Sequence, residues 1–181
     1  MANLPNLITL ARLLASPLAV YLILNEAWAW AFWIFVTAGL SDALDGFLAK
    51  RFNARTLVGG FLDPLADKAL LVSVFVVLGY LHQLPNWLVI LVVFRDLLIV
   101  GGAILVHTLT GKLSMRPLMI SKLNTAAQFV LLAYVLGQLG LGVDDVALVE
   151  ALIYLVAVTT GLSGAAYVVT WARRVADIED A

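Results

Sequence analysis

The sequence predicts an all-α integral membrane protein with six transmembrane helices and both termini in the cytoplasm. Three observations carry this: the composition, six recurring apolar runs, and the placement of Lys and Arg. Of 181 residues, 63% are hydrophobic and only 13% charged, and the mean hydropathy is +1.02. A soluble domain of that length needs a larger charged surface. Apolar segments fall at 7–25, 27–49, 57–81, 86–108, 120–140 and 146–170, each long enough to cross the hydrocarbon core. Lys50, Arg51 and Arg55 lie between the second and third segments, and Lys112, Arg116 and Lys122 lie around the connection from the fourth to the fifth. Arg173 and Arg174 follow the sixth. The other connections hold Glu26, His82, Asp144, Asp145 and Glu150 and no Lys or Arg. Basic connections stay on the cytoplasmic side, so the charge alternation sets the orientation of every span.

Smaller features agree. Trp28, Trp30, Trp33 and Trp87 are expected at the opposite interface as aromatic anchors. The first segment opens with little positive charge, and Ala15-Ser16-Pro17 is a poor cleavage site, so it is expected to be a retained span and not a signal peptide. No linker or low-complexity tract divides the chain, which is expected to be a single membrane domain over 1–181. Cysteine is absent, which excludes disulfides and thiolate metal sites. A net charge of −1 without a basic arm offers nothing to nucleic acid. His82 and His107 sit at opposite membrane ends and form no ligand cluster.

The carboxylates carry the functional information. Asp42 and Asp45 lie in the second segment, Asp63 and Asp67 in the third. Ionised groups at membrane depth cost several kcal/mol each unless they are paired or used. Spacings of i, i+3 and i, i+4 put each pair on one face of its helix. Helical rise places Asp45 and Asp42 roughly 8–12 Å beyond Lys50, and Asp63 and Asp67 roughly 12–18 Å beyond Arg55. All four are thus expected near one level in the cytoplasmic half of the membrane. Four carboxylates cannot all ionise together without cations. Lys68 adjoins Asp67, but one lysine does not neutralise four acids. Hard divalent ions such as Mg²⁺ or Mn²⁺ suit oxygen ligands. A proton or sodium path through a cation-coupled transporter also places acids at depth, and spacing alone leaves both readings open.

The small residues Gly46, Ala49, Gly59 and Gly60 flank the acids, either for close helix packing or to admit a bulky ligand. The string Asp42-Ala43-Leu44-Asp45-Gly46-Phe47-Leu48-Ala49-Lys50, continuing to Gly59, Asp63 and Asp67, resembles the signature of the CDP-alcohol phosphatidyltransferases, D-x2-D-G-x2-A-R-x8-G-x3-D-x3-D. The resemblance covers the whole pattern without insertion. It departs once: the arginine falls on Lys50, with Arg51 directly after it, and lysine lacks the planar bidentate fork. The resemblance implies that Asp42, Asp45 and Asp63 bind divalent metal, Mg²⁺ or Mn²⁺, which holds the pyrophosphate of a CDP-linked lipid. It implies that Asp67 also helps hold metal and acts as general base on the acceptor hydroxyl. It further implies a donor pocket lined by Asp42, Gly46, Ala49, Lys50 and Gly59. The transporter reading needs no such cytidine pocket, and no internal repeat supports it.

The opening Leu4-Pro5-Asn6-Leu7-Ile8-Thr9-Leu10-Ala11-Arg12 resembles the phosphatidylglycerophosphate synthase and cardiolipin synthase branches. Asn6 is either a donor contact or a helix-start residue. The stretch Arg116-Pro117-Leu118-Met119-Ile120-Ser121-Lys122-Leu123-Asn124-Thr125-Ala126-Ala127-Gln128 resembles the eukaryotic-type cardiolipin synthases. That resemblance implies CDP-diacylglycerol as donor and phosphatidylglycerol as acceptor, with glycerol-3-phosphate the next acceptor to consider. It also implies a bacterial or mitochondrial inner membrane, a site facing the cytoplasm, and a homodimer. Acceptor candidates are Arg95, Arg116, Lys122 and Asn124; Lys122 has the alternative of a snorkelling anchor. Arg95 is expected to face the interior and not to pair with Asp96, because adjacent residues diverge around a helix. Gly161 and Ala165 form a small-x3-small step on the last segment, a candidate dimer face.

Overall fold

The computed structural model describes the backbone of 3–52, 57–110, 118–143 and 145–179, and the side chains of 11, 13–41, 68–104, 108, 118–143 and 145–172. Six α-helices make up the described residues: α1 Asn3–Leu24, α2 Trp28–Phe52, α3 Leu57–Tyr80, α4 Asn86–Thr110, α5 Met119–Leu141 and α6 Val146–Glu179. Each coincides with one apolar run. The largest departure is α6, which continues to Glu179 where the apolar pattern stops near 170, so its last turns are amphiphilic and charged. Among the described residues, Asn86–Ile104, Met119–Leu141 and Val146–Ala172 are long and apolar enough to cross a membrane. Shorter apolar stretches run over Leu13–Leu24, Trp28–Ser41 and Lys68–Tyr80.

The helices close into a ring in the order α1, α2, α5, α6, α4, α3. α1 packs against both α3 and α2, α5 against α6 and α2, and α4 against α6. Consecutive α2 and α3 touch only lightly, and α1 lies beside both. Inside the ring Phe35, Val74, Phe75, Leu78, Leu88, Leu131, Leu132, Leu136 and Val156 are buried completely or nearly so. Trp30, Trp33 and Trp87 are exposed, as expected of anchors. Trp28 is not: it is half-buried and packs against the core. The difference arises because the start of α2 abuts the end of α5.

In lipid, helices associate through close packing and not through water exclusion, so small residues decide how near they come. Phe129 of α5 stacks on Phe35 with ring centroids 4.8 Å apart and lies across Gly39 of α2. A Cβ on Gly140 would stand 2.6 Å from the Ala29 nitrogen, a backbone atom that cannot swing aside. We expect Gly140→Ala to cost roughly 1–3 kcal/mol by forcing α2 and α5 apart. Thermal melting in detergent checks this, with Gly161→Ala as the comparison, since nothing lies within 4 Å of a Cβ there. α5 ends at Gly142, whose φ of 72° permits the left-handed cap that sends its N–H to the Gln138 carbonyl at 3.2 Å.

Candidate active site

The acids sit where two helices approach the same connection. Counted along their own helices, Asp45 and Asp42 lie about 10 and 15 Å before the end of α2 at Phe52, while Asp63 and Asp67 lie about 9 and 15 Å after the start of α3 at Leu57. The helical register therefore puts both pairs at matching distances from the residues joining α2 to α3. α1, which carries Asn6 near its start, packs against both. The side chains of Asn6, Asp42, Asp45, Gly46, Ala49, Lys50, Gly59, Asp63 and Asp67 fall outside the described residues, as does Arg116 entirely. Among the described residues no cluster of three His, Asp or Glu offers another metal site.

Between α1 and the middle of α2 runs a groove of about 430 Å³ lined by Ala11, Leu14, Ala15, Leu18, Ile34, Thr37, Ala38 and Ser41. Its walls are largely aliphatic, and it reaches Ser41, the residue before Asp42.

Across the ring, a polar seam joins α3, α4, α5 and α6. Lys68 of α3 places its Nζ 2.7 Å from Asp96 Oδ1 of α4. The same oxygen accepts from Arg95 Nη1 at 2.7 Å. Arg95 Nη2 donates to Ser121 Oγ of α5 at 2.6 Å and to Ser163 Oγ of α6. The guanidinium carbon lies 6.0 Å from the Tyr167 ring centroid. Arg95 is only 3% exposed and thus faces the interior, as expected. Its pairing with Asp96 overturns the expectation that adjacent residues diverge too far. The long arginine stem folds back around α4, and in a buried setting an unpaired guanidinium costs more than that bend.

One turn along α5, Asn124 is fully buried, and its Oδ1 accepts from Thr159 and Thr160 of α6 at 2.9 and 2.8 Å. Asn124 Nδ2, Gln128 Nε2 and Arg95 Nε have no protein partner, so this seam is left with surplus donors. Lys122, by contrast, is exposed near the start of α5. Of the acceptor candidates with described side chains, Lys122 is thus open while Arg95 and Asn124 are engaged between helices.

The Lys68–Asp96 pair was readable in the sequence and passed over. Lys68 lies 12 residues before the end of α3 and Asp96 10 residues after the start of α4. Opposite charges at equal depth on consecutive helices are natural partners. Ser121, Ser163, Thr159 and Thr160 gave no such signal, since hydroxyls are common in apolar helices.

Residues 2–175 match the family described as CDP-alcohol phosphatidyltransferase. The chain belongs to the CDP-alcohol phosphatidyltransferase family. It is 36% identical over 183 residues to a chloroplastic CDP-diacylglycerol--glycerol-3-phosphate 3-phosphatidyltransferase 1 of Oryza sativa subsp. japonica, covering 91% of this chain and 56% of that one. It is 32% identical over 181 residues to a cardiolipin synthase (CMP-forming) of Homo sapiens, covering 91% of this chain and 60% of the human one. A CDP-diacylglycerol--glycerol-3-phosphate 3-phosphatidyltransferase of Cereibacter sphaeroides is 34% identical over 150 residues, with 78% of this chain and 66% of the relative covered. The chain thus spans somewhat over half the length of the first two of these CDP-alcohol phosphatidyltransferase relatives.

The donor chemistry of the family pattern suits a hard divalent ion, because all four side chains are carboxylates. The lysine next to Asp67 has a partner of its own in Asp96.

Proposed function

We propose that this chain transfers a phosphatidyl group from CDP-diacylglycerol to a lipid hydroxyl, most readily that of phosphatidylglycerol, releasing CMP and forming cardiolipin. The observation that carries the reading is the four-aspartate pattern, complete in spacing, on two helices that approach one connection in matching register. Divalent metal, Mg²⁺ or Mn²⁺, supplies charge neutralisation at the donor pyrophosphate when bound. Asp42, Asp45, Asp63 and Asp67 hold it. Gly46, Ala49 and Gly59 leave room for the cytidine against the helix backbones, and Lys50 or Arg51 supplies the nearby positive charge. Asn6, on the helix between the acid-bearing pair, assists at the phosphates. Asp67 takes the proton of the acceptor hydroxyl as its oxygen attacks the lipid-side phosphorus. The bond from that phosphorus to the bridging oxygen breaks, and CMP leaves with the electron pair. The apolar groove between α1 and α2 suits an acyl chain of the donor, since it ends one residue from Asp42.

For the acceptor, Arg116 and exposed Lys122 would meet the anionic headgroup, and Arg95 and Asn124 form the frame behind them. In this reading all six helices cross the bilayer, both termini and the site face the cytoplasm, and the membrane is a bacterial or mitochondrial inner membrane. Two copies associate, with Gly161 and Ala165, both exposed on α6, in the dimer face.

Glycerol-3-phosphate is the second acceptor, favoured by the rice and Cereibacter relatives, whose names specify it. The test is CMP release by purified protein in detergent with CDP-diacylglycerol and Mg²⁺ or Mn²⁺. Release that requires phosphatidylglycerol and yields cardiolipin is expected. Release only with glycerol-3-phosphate would move the chain to the second acceptor. No release with either alcohol would remove the transfer reading in this form.

A further inference from the structure

We propose that Lys68 is a positioning residue for the acid pair of α3, held in place by Asp96. This rests on the reading of Asp63 and Asp67 as metal-holding acids. α3 is gripped from two sides immediately beyond Asp67. On one side, Ser16 of α1 donates to the Ala69 carbonyl at 3.3 Å and lies 2.9 Å from Ser73 Oγ. On the other, Lys68 reaches Asp96 at 2.7 Å. Asp96 is itself a fixed point, because Arg95 ties the same carboxylate to Ser121 on α5 and Ser163 on α6. Successive residues on a helix are about 100° apart in rotation and about 1.5 Å apart in rise. Fixing Lys68 toward α4 therefore fixes the rotation of α3 about its own axis, and with it the register of positions 63 and 67 on that helix.

Stability does not account for the pair. Arg95 already donates to the same Asp96 oxygen at 2.7 Å, so Asp96 stays neutralised without Lys68. Packing between α3 and α4 is also light compared with that between α3 and α1. Without Lys68, rotation of α3 on its α4 side is restrained by few contacts. Groups that orient metal ligands from behind commonly change metal affinity more than they change stability.

The experiment is Mn²⁺ binding to purified, substrate-free protein in detergent, read from the loss of the free-ion electron paramagnetic resonance signal. The two explanations of Lys68 differ in sign. Removing a positive charge beside four carboxylates should by itself tighten cation binding. Loss of positioning should weaken it. We expect Lys68→Met to bind Mn²⁺ roughly tenfold more weakly while remaining monodisperse and melting near the parent temperature. Lys68→Arg keeps the charge and the reach to Asp96 and should stay within about twofold. Unchanged or tighter Mn²⁺ binding in Lys68→Met would overturn the proposal, as would equal weakening in Lys68→Arg. Asp63→Asn serves as the control for the underlying reading. If it leaves Mn²⁺ binding untouched, the acids do not hold metal and both readings fall. If it weakens binding while Lys68→Met does not, only the positioning role is lost.

Discussion

Asp67→Asn is expected to abolish phosphatidyl transfer while leaving much of the binding of the CDP-lipid. Asparagine is nearly the same size as aspartate and keeps one oxygen toward the site, but it cannot accept a proton at neutral pH. Asp42, Asp45 and Asp63 still supply three carboxylates for a divalent ion. Removing a general base typically lowers turnover by about 10² to 10⁴, so CMP release should fall to near background. Binding is measured separately, by retention of CDP-diacylglycerol on the purified variant at the Mn²⁺ concentration that saturates the parent. Loss of binding with turnover per bound lipid intact would show that Asp67 only holds metal. Retained transfer would remove the base assignment altogether.

Arg95→Leu is expected to be the most damaging substitution to the folded protein, at roughly 3–5 kcal/mol, because it breaks a buried ion pair from one side. Arg95 is 3% exposed and joins α4 to both α5 and α6 through Ser121 and Ser163. Its loss leaves Asp96, itself 8% exposed, with only the distal Lys68 for neutralisation. Leucine also leaves the buried Ser163 hydroxyl and the half-buried Ser121 hydroxyl without their donor. Melting in detergent should drop clearly further than for Lys68→Met. A variant that melts like the parent yet fails to use one acceptor would instead assign the guanidinium to substrate. Lysine is not a substitute at this position, since a single ammonium lacks the planar fork that serves Asp96 and two serines at once.

Much of the site was visible before any tertiary contact was considered, and the reason is the cost of charge in hydrocarbon. Asp42, Asp45, Asp63 and Asp67 stand out because a membrane helix tolerates such residues only for a use. Their spacing has a consequence on a helix whatever surrounds it. The interiors of the six helices were legible for a similar reason, since each coincides with an apolar run, three of them long and apolar enough among the described residues to cross a membrane. α6 ran past its apolar span because helix propagation depends on the backbone and not on hydropathy: Arg173 to Glu179 continue the helix without needing lipid.

The partnerships were harder to read. A local rule about adjacent residues argued against Arg95 pairing with Asp96, yet burial reverses it: the energy of leaving either charge alone exceeds the strain of folding the side chain back. Trp28 looked like its neighbours Trp30 and Trp33, but only the approach of Gly140 to the start of α2 turns it inward. Asn124 carried an acceptor reading by resemblance; its buried Oδ1, accepting from Thr159 and Thr160, adds a contact between helices that the sequence did not show.

By itself, the sequence determined that the chain is helical and membrane-embedded, where its charges fall along each helix, and which family it resembles. These properties depend on one helix at a time, on length, hydropathy and spacing. Only the tertiary structure decided that α1 lies between the two acid-bearing helices, that Lys68 is held by α4, and that Arg95 is spent on Asp96, Ser121 and Ser163. Those outcomes depend on which helix faces meet. In a bilayer, where lipid satisfies an apolar surface as well as another helix does, the choice of faces rests on small residues and buried polar pairs that no single helix reveals.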